Sequence, residues 1–161
     1  MIIRAAKAEE AKTLGKIGFS SWRNSEFAVH DAGRTDPAIL QRDFEEFCAG
    51  YWGTILVATD FARPLGWGAR EFGDEIISDL WVAHGAQGQG IGAALLAALE
   101  AAIALDGLDY AELETYAGNA GAVRFYQRQG YDPVWRGMKF SASLNYELDK
   151  IRFRKPLLKA A

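Results

Sequence analysis

The sequence is poor in cysteine, in net basic charge and in long apolar runs. Its single cysteine, Cys48, can form neither an internal disulfide nor a zinc site alone, and its apolar helical surroundings predict an inert, packed thiol. The net charge of −3 leaves no basic patch for nucleic acid. No stretch reaches the ~18 charge-free apolar residues of a membrane span, and residues 1–16 lack a signal-peptide pattern. These absences favour a cytoplasmic protein that binds neither nucleic acid nor membrane.

With 161 residues, half of them hydrophobic, the chain can bury the core of one domain, which we expect to span residues 1–161. Periodicity and capping signals predict helices at 8–22, 36–50, 88–105 and 119–129, and a loop at 23–35. Alternation and turn signals predict strands at 1–4, 52–59, 65–72, 75–82, 109–116, 131–138 and 146–155. This order predicts an α+β (mixed α/β) fold, a mostly antiparallel sheet of about seven strands with about four flanking helices.

The most informative segment is the glycine-rich stretch that joins a predicted strand to the longest predicted helix. Gly88, Gly90 and Gly92 alternate at the helix start, where unpaired backbone N–H groups and the helix dipole attract phosphates. The segment predicts a phosphate-binding loop. The spacing from Gly88 to Ala93 also satisfies the loose dinucleotide fingerprint, but that fingerprint expects a doubly wound parallel sheet rather than preceding hairpins.

Gln87, Gly90 and Gly92 fit the motif Q/R-x-x-G-x-G/A, after a strand that ends Leu-Trp-Val. Downstream, residues 119–131 fit the pattern N-x-x-A-x-x-F-Y-x-x-x-G-F, with tyrosine in place of the final phenylalanine. With these two motifs in this order, the chain resembles the GNAT superfamily of N-acetyltransferases, in which Gln87, Gly90 and Gly92 would occupy the defining positions of the first motif. The chain departs from the family at His84, where proline is common. The resemblance covers nearly the whole length and implies a GNAT-like twisted sheet.

The resemblance implies that acetyl-CoA lies in a V-shaped opening between the strands at 75–82 and 109–116. Backbone groups of the first strand would pair with the pantetheine arm, and the N–H groups of the glycine loop would hold the pyrophosphate. No metal is implied. The residues expected to contact the cofactor are Trp81, Val82, Gln87, Gly88, Gln89, Gly90, Ile91, Gly92, Asn119 and Tyr126.

Direct transfer to a primary amine needs a base, because alkylamines are largely protonated near neutral pH. Strand alternation places Glu75 and Asp79 on the face opposite Leu80, so these two acids are the main candidates and Glu114 is a third. The resemblance assigns Tyr126 as the proton donor to the leaving thiolate.

The N-terminal helices and their loop form the acceptor site in the family, and here they offer Trp22, Glu26, Phe27, His30 and Asp31. These aromatic and acidic residues suit a small-molecule or peptide amine. A homodimer is left open. Two alternatives also stay open, namely an acyl-CoA-binding sensor without turnover and a nicotinamide-dinucleotide protein.

Overall fold

Two antiparallel sheets meet at one junction in the computed structural model, which describes residues 1–158. The first sheet has the order β1-β2-β3-β4 and comprises β1 (Ile2–Ala5), β2 (Ile55–Asp60), β3 (Arg63–Ala69) and β4 (Asp79–Val82). The second has the order β5-β7-β6 and comprises β5 (Tyr110–Tyr116), β6 (Asp132–Ser141) and β7 (Tyr146–Pro156). These seven strands, with helices between them, confirm the predicted α+β fold.

The helices cover the first sheet on both faces. They are α1 (Ala11–Arg23), α2 (Glu26–Asp31), α3 (Pro37–Tyr51), α4 (Ile91–Leu105) and α5 (Ala120–Arg128). Successive side chains of β2 point to opposite faces of the sheet. Val57 is buried with residues of α1 and α3, and Ala58 is buried against α4 on the other face. The helix α4 also packs on the second sheet, where Leu99 lies in one cluster with Leu113 and Phe153. One helix therefore fixes the position of one sheet relative to the other.

Local sequence explains where the helices begin. The Asp36 carboxylate accepts hydrogen bonds from Ala38 N at 2.9 Å and Ile39 N at 3.4 Å, and Pro37 occupies the first helical position of α3. Cys48 of α3 is fully buried, and burial, followed by the charge of Asp79, raises the pKa of its thiol to about 12. The thiol is therefore protonated and inert near neutral pH.

Glycines on β3 allow the strand to approach its neighbours closely. A Cβ on Gly66 would lie 2.8 Å from the carbonyl oxygen of Trp81, and one on Gly68 would lie 2.8 Å from Cδ1 of Leu99. Neither position has free room for a side chain, because the neighbouring elements lie so close. The absence of side chains at Gly66 and Gly68 lets β4 and α4 pack tightly against β3, and these two elements flank the glycine loop.

Three differences from the predicted elements bear on the site. The segment 23–35 contains the helix α2 rather than only loop, because six residues are too few to show a helical period. Residues 1–158 therefore contain five α-helices. The long apolar helix begins at Ile91, since Gly90 at its N-cap has φ of +79°. The strand predicted at 75–82 is reduced to β4, because residues 75–77 leave the first sheet and bond to Glu112.

Candidate active site

The two sheets are joined at one point and then separate. Ile76 bridges Glu112 in parallel, with Ile77 N donating to Glu112 O at 2.8 Å and Glu112 N donating to Glu75 O at 2.9 Å. Beyond this bridge, and within residues 1–158, β4 pairs only with β3, and β5 pairs only with β7. The facing edges of β4 and β5 therefore keep unpaired N–H and C=O groups along a V-shaped opening.

The glycine loop at one end of this opening presents backbone N–H groups to open space. Gly88 and Gly90 have φ values of +75° and +79°, and a Cβ on either would meet no atom within 4 Å. In the described part of the chain, Ile91 N and Gly92 N have no backbone acceptor, and the first helical bond runs from Ala94 N to Gly90 O at 3.0 Å. Unpaired donors at a helix start, with free volume above them, fit the pyrophosphate of a nucleotide cofactor.

Side chains hold the ends of this binding region in place. The Gln87 amide donates to Val82 O at 3.3 Å, which ties the loop back to the end of β4. Asn119 caps α5 by accepting from Ala122 N at 3.2 Å, and it also lines the pocket described below. His84 lies in a single 3₁₀ turn before the loop and is not one of the residues that line this pocket.

Asp79 lies at the start of β4 and lines the pocket beside the opening. Its carboxylate accepts a hydrogen bond from the indole N–H of Trp81 at 3.0 Å. Burial raises the pKa of Asp79 above its usual range, the hydrogen bonds from Trp81 and Ser78 oppose this rise, and the charge of Glu71 adds to it. A raised pKa suits a carboxylate to proton abstraction near neutral pH.

Tyr126 lies on α5, within range of the negative charge of Asp79. Its ring packs against Phe125, Tyr131 and Phe153, with ring centroids 5.2, 6.0 and 6.0 Å away. Burial, followed by the negative charge of Asp79, raises the pKa of Tyr126 to about 12. The hydroxyl forms no hydrogen bond with another residue of 1–158, and the ring is partly buried among these aromatic side chains. A protonated phenol thus lies within range of the charge of Asp79.

A pocket of about 380 Å³ opens beside β4 on the side of α1 and α3. That volume lies in the lower part of the range for small-molecule sites. Its apolar walls come mainly from six aromatic side chains, namely Trp22, Phe27, Phe44, Phe47, Trp81 and Tyr116. Its charged lining residues are Asp43, Asp79, Glu114 and Lys150.

Two of the three predicted acids form hydrogen bonds with other side chains. The Glu75 carboxylate accepts from the Tyr110 hydroxyl at 3.3 Å and does not line the pocket. Glu114 lines the pocket, but Lys139 and Arg152 bond to it at 2.9 and 3.0 Å, and their hydrogen bonds hold its pKa below the usual range despite burial. Neither acid has the environment of a base, and Asp79 alone of the three combines a pocket position with a raised pKa.

Some of the residues predicted to form the acceptor site line the pocket, and others do not. Trp22 and Phe27 line the pocket, as expected from the sequence. Glu26 instead accepts from Ala120 N at 2.9 Å, and His30 stacks on Tyr116 with centroids 4.4 Å apart. Asp31 is buried, where the Thr35 and Tyr146 hydroxyls donate to its carboxylate. These three polar residues hold α2 against neighbouring elements rather than facing the pocket.

Sequence reasoning missed two charged residues of the pocket. Asp43 lies on α3 and Lys150 on β7, and neither belongs to a motif. The helical period could have placed Asp43 beside Phe44 and Phe47, but alternation along β7 gives no sign that Lys150 faces a pocket.

This combination of splayed strands and a glycine-rich helix start is the fold of an acetyltransferase. Residues 18–131 match the Acetyltransferase (GNAT) family, and the chain belongs to that family. The doubly wound parallel sheet of the dinucleotide alternative is not found among residues 1–158, whose strands pair antiparallel apart from the single bridge at Ile76. No curated protein matches the chain significantly. In residues 1–158 there is no helix of sufficient length and hydropathy to cross a bilayer.

Solved structures share this fold. A GCN5-related N-acetyltransferase from Rhodopseudomonas palustris has a TM-score of 0.79 and 21% identity, with 97% of this chain and 95% of that chain covered. PaiA N-acetyltransferase from Thermoplasma acidophilum, solved with coenzyme A, has a TM-score of 0.71 and 17% identity, covering 96% and 98%. A ribosomal-protein-alanine N-acetyltransferase from Brucella melitensis has a TM-score of 0.68 and 22% identity, covering 98% and 100%.

Proposed function

We propose that this enzyme transfers the acetyl group of acetyl-CoA directly to a primary amine. The observation that carries the proposal is Asp79, a carboxylate of raised pKa that lines the pocket beside the opening between β4 and β5, with the Tyr126 phenol of α5 within range of its charge. One group is suited to accept a proton and the other to donate one. Acetyl-CoA would supply the thioester carbonyl that the amine attacks, and a related structure holds coenzyme A.

The cofactor would lie along the opening. The unpaired N–H groups from the glycine loop into α4 would hold the pyrophosphate, and Gln87 would keep that loop in place. The edge of β4 that does not pair with β3 would bond to the amide groups of the pantetheine arm near Trp81 and Val82. Asn119 would approach the arm from the start of α5.

The chain's own residues then move two protons. Asp79 would accept a proton from the acceptor's ammonium group, directly or through one water, which leaves a neutral amine to attack. The Tyr126 hydroxyl would donate a hydrogen bond and then its proton to the sulfur as the carbon–sulfur bond breaks. The aromatic pocket would exclude water and orient the amine.

A thiol-release assay with acetyl-CoA and a panel of primary amines tests the proposal. We expect amine-dependent release of CoA, with the N-acetylated amine detected by mass spectrometry in equal amount. If the protein binds acetyl-CoA but releases thiol no faster with any amine than without one, it is an acyl-CoA sensor instead of an enzyme.

The phosphate-binding role of the glycine loop is tested by Gly90→Asp, with Gly90→Asn as the matched control. Both side chains tolerate the positive φ of this position, so they differ mainly in charge. The Asp variant should bind CoA at least about tenfold more weakly than the Asn variant, because its carboxylate would face the pyrophosphate. Calorimetric titration with CoA measures the difference. Equal affinities in two folded variants would show that the phosphates bind elsewhere.

A further inference from the structure

The face of the second sheet beside the pocket carries a ladder of charges. On β7, Arg154 pairs with Glu112 at 2.8 Å, and Arg152 pairs with Glu114 at 3.0 Å. Lys139 of β6 also pairs with Glu114, at 2.9 Å. Each of these cations therefore already has a carboxylate partner within the sheet.

Lys150 is the next basic residue on this face of β7, but unlike the other cations it is not paired with a carboxylate of the sheet. Its Cα partner on β5 is Tyr116, so the ladder offers it no acid at that position. It forms no ion pair or hydrogen bond with another residue of the described range 1–158. It is half-buried in the lining of the pocket, and burial lowers the pKa of its ammonium group, whereas the charge of Glu114, which is not bonded to it, opposes this change. A partly buried cation without a partner gains most from an anion that enters the pocket.

The opposite wall of the pocket has the opposite charge. Phe44 of α3 packs on Trp81 with ring centroids 5.1 Å apart, and Trp81 bonds to Asp79, so Asp43 and Asp79 belong to the same wall. Asp43 and Asp79 thus stand on the side of α3 and β4. Lys150 stands on the side of β7, near Glu114 of β5, whose carboxylate is already paired with Lys139 and Arg152. This polarity fits a ligand that has an ammonium group and an anionic group.

The strand pairing brings the two sides within reach of one small molecule. Because Ile76 and Glu112 form a parallel bridge, Asp79 comes opposite Thr115 across the opening. Lys150 pairs with the residue after Thr115, on the strand next to β5. The backbone of Lys150 is therefore about two strand spacings, or roughly 10 Å, from β4. The separation of β4 and β5 along the opening adds to this distance. The lysine side chain can span much of that distance.

We propose that Lys150 binds a carboxylate of the acceptor, and that the acceptor is a free amino acid with an apolar side chain. This inference rests on the proposed acetyl transfer. The α-ammonium group lies toward Asp79, the carboxylate lies on Lys150, and the side chain packs among the aromatic residues, such as Phe27 and Phe47. A peptide N-terminus lacks the adjacent carboxylate and is a poorer acceptor.

The test compares matched acceptors with and without the carboxylate, namely phenylalanine against phenethylamine. In Lys150→Met, kcat/KM for phenylalanine should fall by about 10- to 100-fold, as expected for a lost charge-assisted hydrogen bond, while kcat/KM for phenethylamine stays within about threefold. Lys150→Arg should retain most of the preference for phenylalanine. Lys139→Met removes a lysine already paired with Glu114, and it should keep the wild-type preference.

Three results would overturn the assignment: a wild-type enzyme without preference for the carboxylate, an equal loss with both acceptors in Lys150→Met, or a matching loss of CoA affinity. Acetylation of phenethylamine without a carboxylate preference would leave the proposed transfer intact and refute only the role of Lys150. If the wild type acetylates neither acceptor, equilibrium binding decides. Tighter binding of N-acetylphenylalanine than of N-acetylphenethylamine, lost in Lys150→Met, would still support the carboxylate site, and equal binding would refute it.

Discussion

Asp79→Asn should lower turnover by about 10²- to 10⁴-fold, the range for loss of a general base. The amide keeps the shape of the side chain and can still accept the hydrogen bond from Trp81, but it cannot take a proton. CoA affinity should remain within a few-fold of wild type. In the wild type, the acid limb of the kcat/KM profile should lie above the usual range of a carboxylate, since burial raises the pKa of Asp79. Steady-state kinetics across pH measure both effects.

Stability provides the control for this variant. Because the pKa of Asp79 is higher in the folded than in the unfolded chain, its contribution to stability is full below the unfolded pKa and is lost as pH rises through the folded pKa. At pH 7 the buried carboxylate therefore destabilises the fold, and Asp79→Asn should melt at the same or a higher temperature. An inactive variant with an unchanged melting temperature has lost chemistry rather than structure.

Glu75→Gln separates the two acids that the sequence offered as bases. The Glu75 carboxylate bonds to Tyr110 outside the pocket, so this variant should keep turnover within about threefold, whereas a base would lose far more. Full activity of Asp79→Asn at every pH would remove Asp79 from the mechanism, and a large loss in Glu75→Gln would transfer the role to Glu75.

The sequence predicted the fold well where local signals agree with packing. Asp36 and Pro37 mark the start of α3, and the four-residue repeat of Ile91, Leu95, Leu99 and Ile103 predicted the buried stripe of α4. The alanine-rich pattern also suggested burial on nearly every side, but Ala97, Ala101 and Leu105 are exposed. Glycines at 88 and 90 predicted an open loop at the helix start, because a positive φ is a local property; its binding of phosphate stays a prediction. The short helix α2 was missed because six residues carry too little periodicity.

The pairing of charges could not be predicted, because it depends on which strands become neighbours. The sequence alone does not distinguish Glu75, Asp79 and Glu114, because all three are acids on predicted strands. Only the register of β5 with β7 places Arg152 beside Glu114, and only the bridge at Ile76 places Glu75 outside the pocket. The same non-local register leaves Lys150 without a carboxylate bonded to it among residues 1–158, which no local pattern reveals.

Tyr126→Phe should reduce turnover by roughly 10- to 10³-fold, in the lower range for loss of a general acid. A thiol has a pKa near 8.5, so the thiolate leaves moderately well without help and the donor assists rather than enables the step. The ring contacts with Phe125, Tyr131 and Phe153 do not use the hydroxyl, so the melting temperature and CoA affinity should stay close to wild type. Single-turnover kinetics and a CoA titration separate these quantities.

The pH profile adds a second criterion for Tyr126. Because the pKa of its hydroxyl is raised to about 12, the phenol stays protonated over the range in which the enzyme can be assayed. The basic limb of the profile should therefore keep its position in Tyr126→Phe, and only the height of the curve should fall. A variant that loses melting temperature together with activity would show that Tyr126 is structural. A stable variant with wild-type turnover would mean that solvent, and not the phenol, protonates the sulfur.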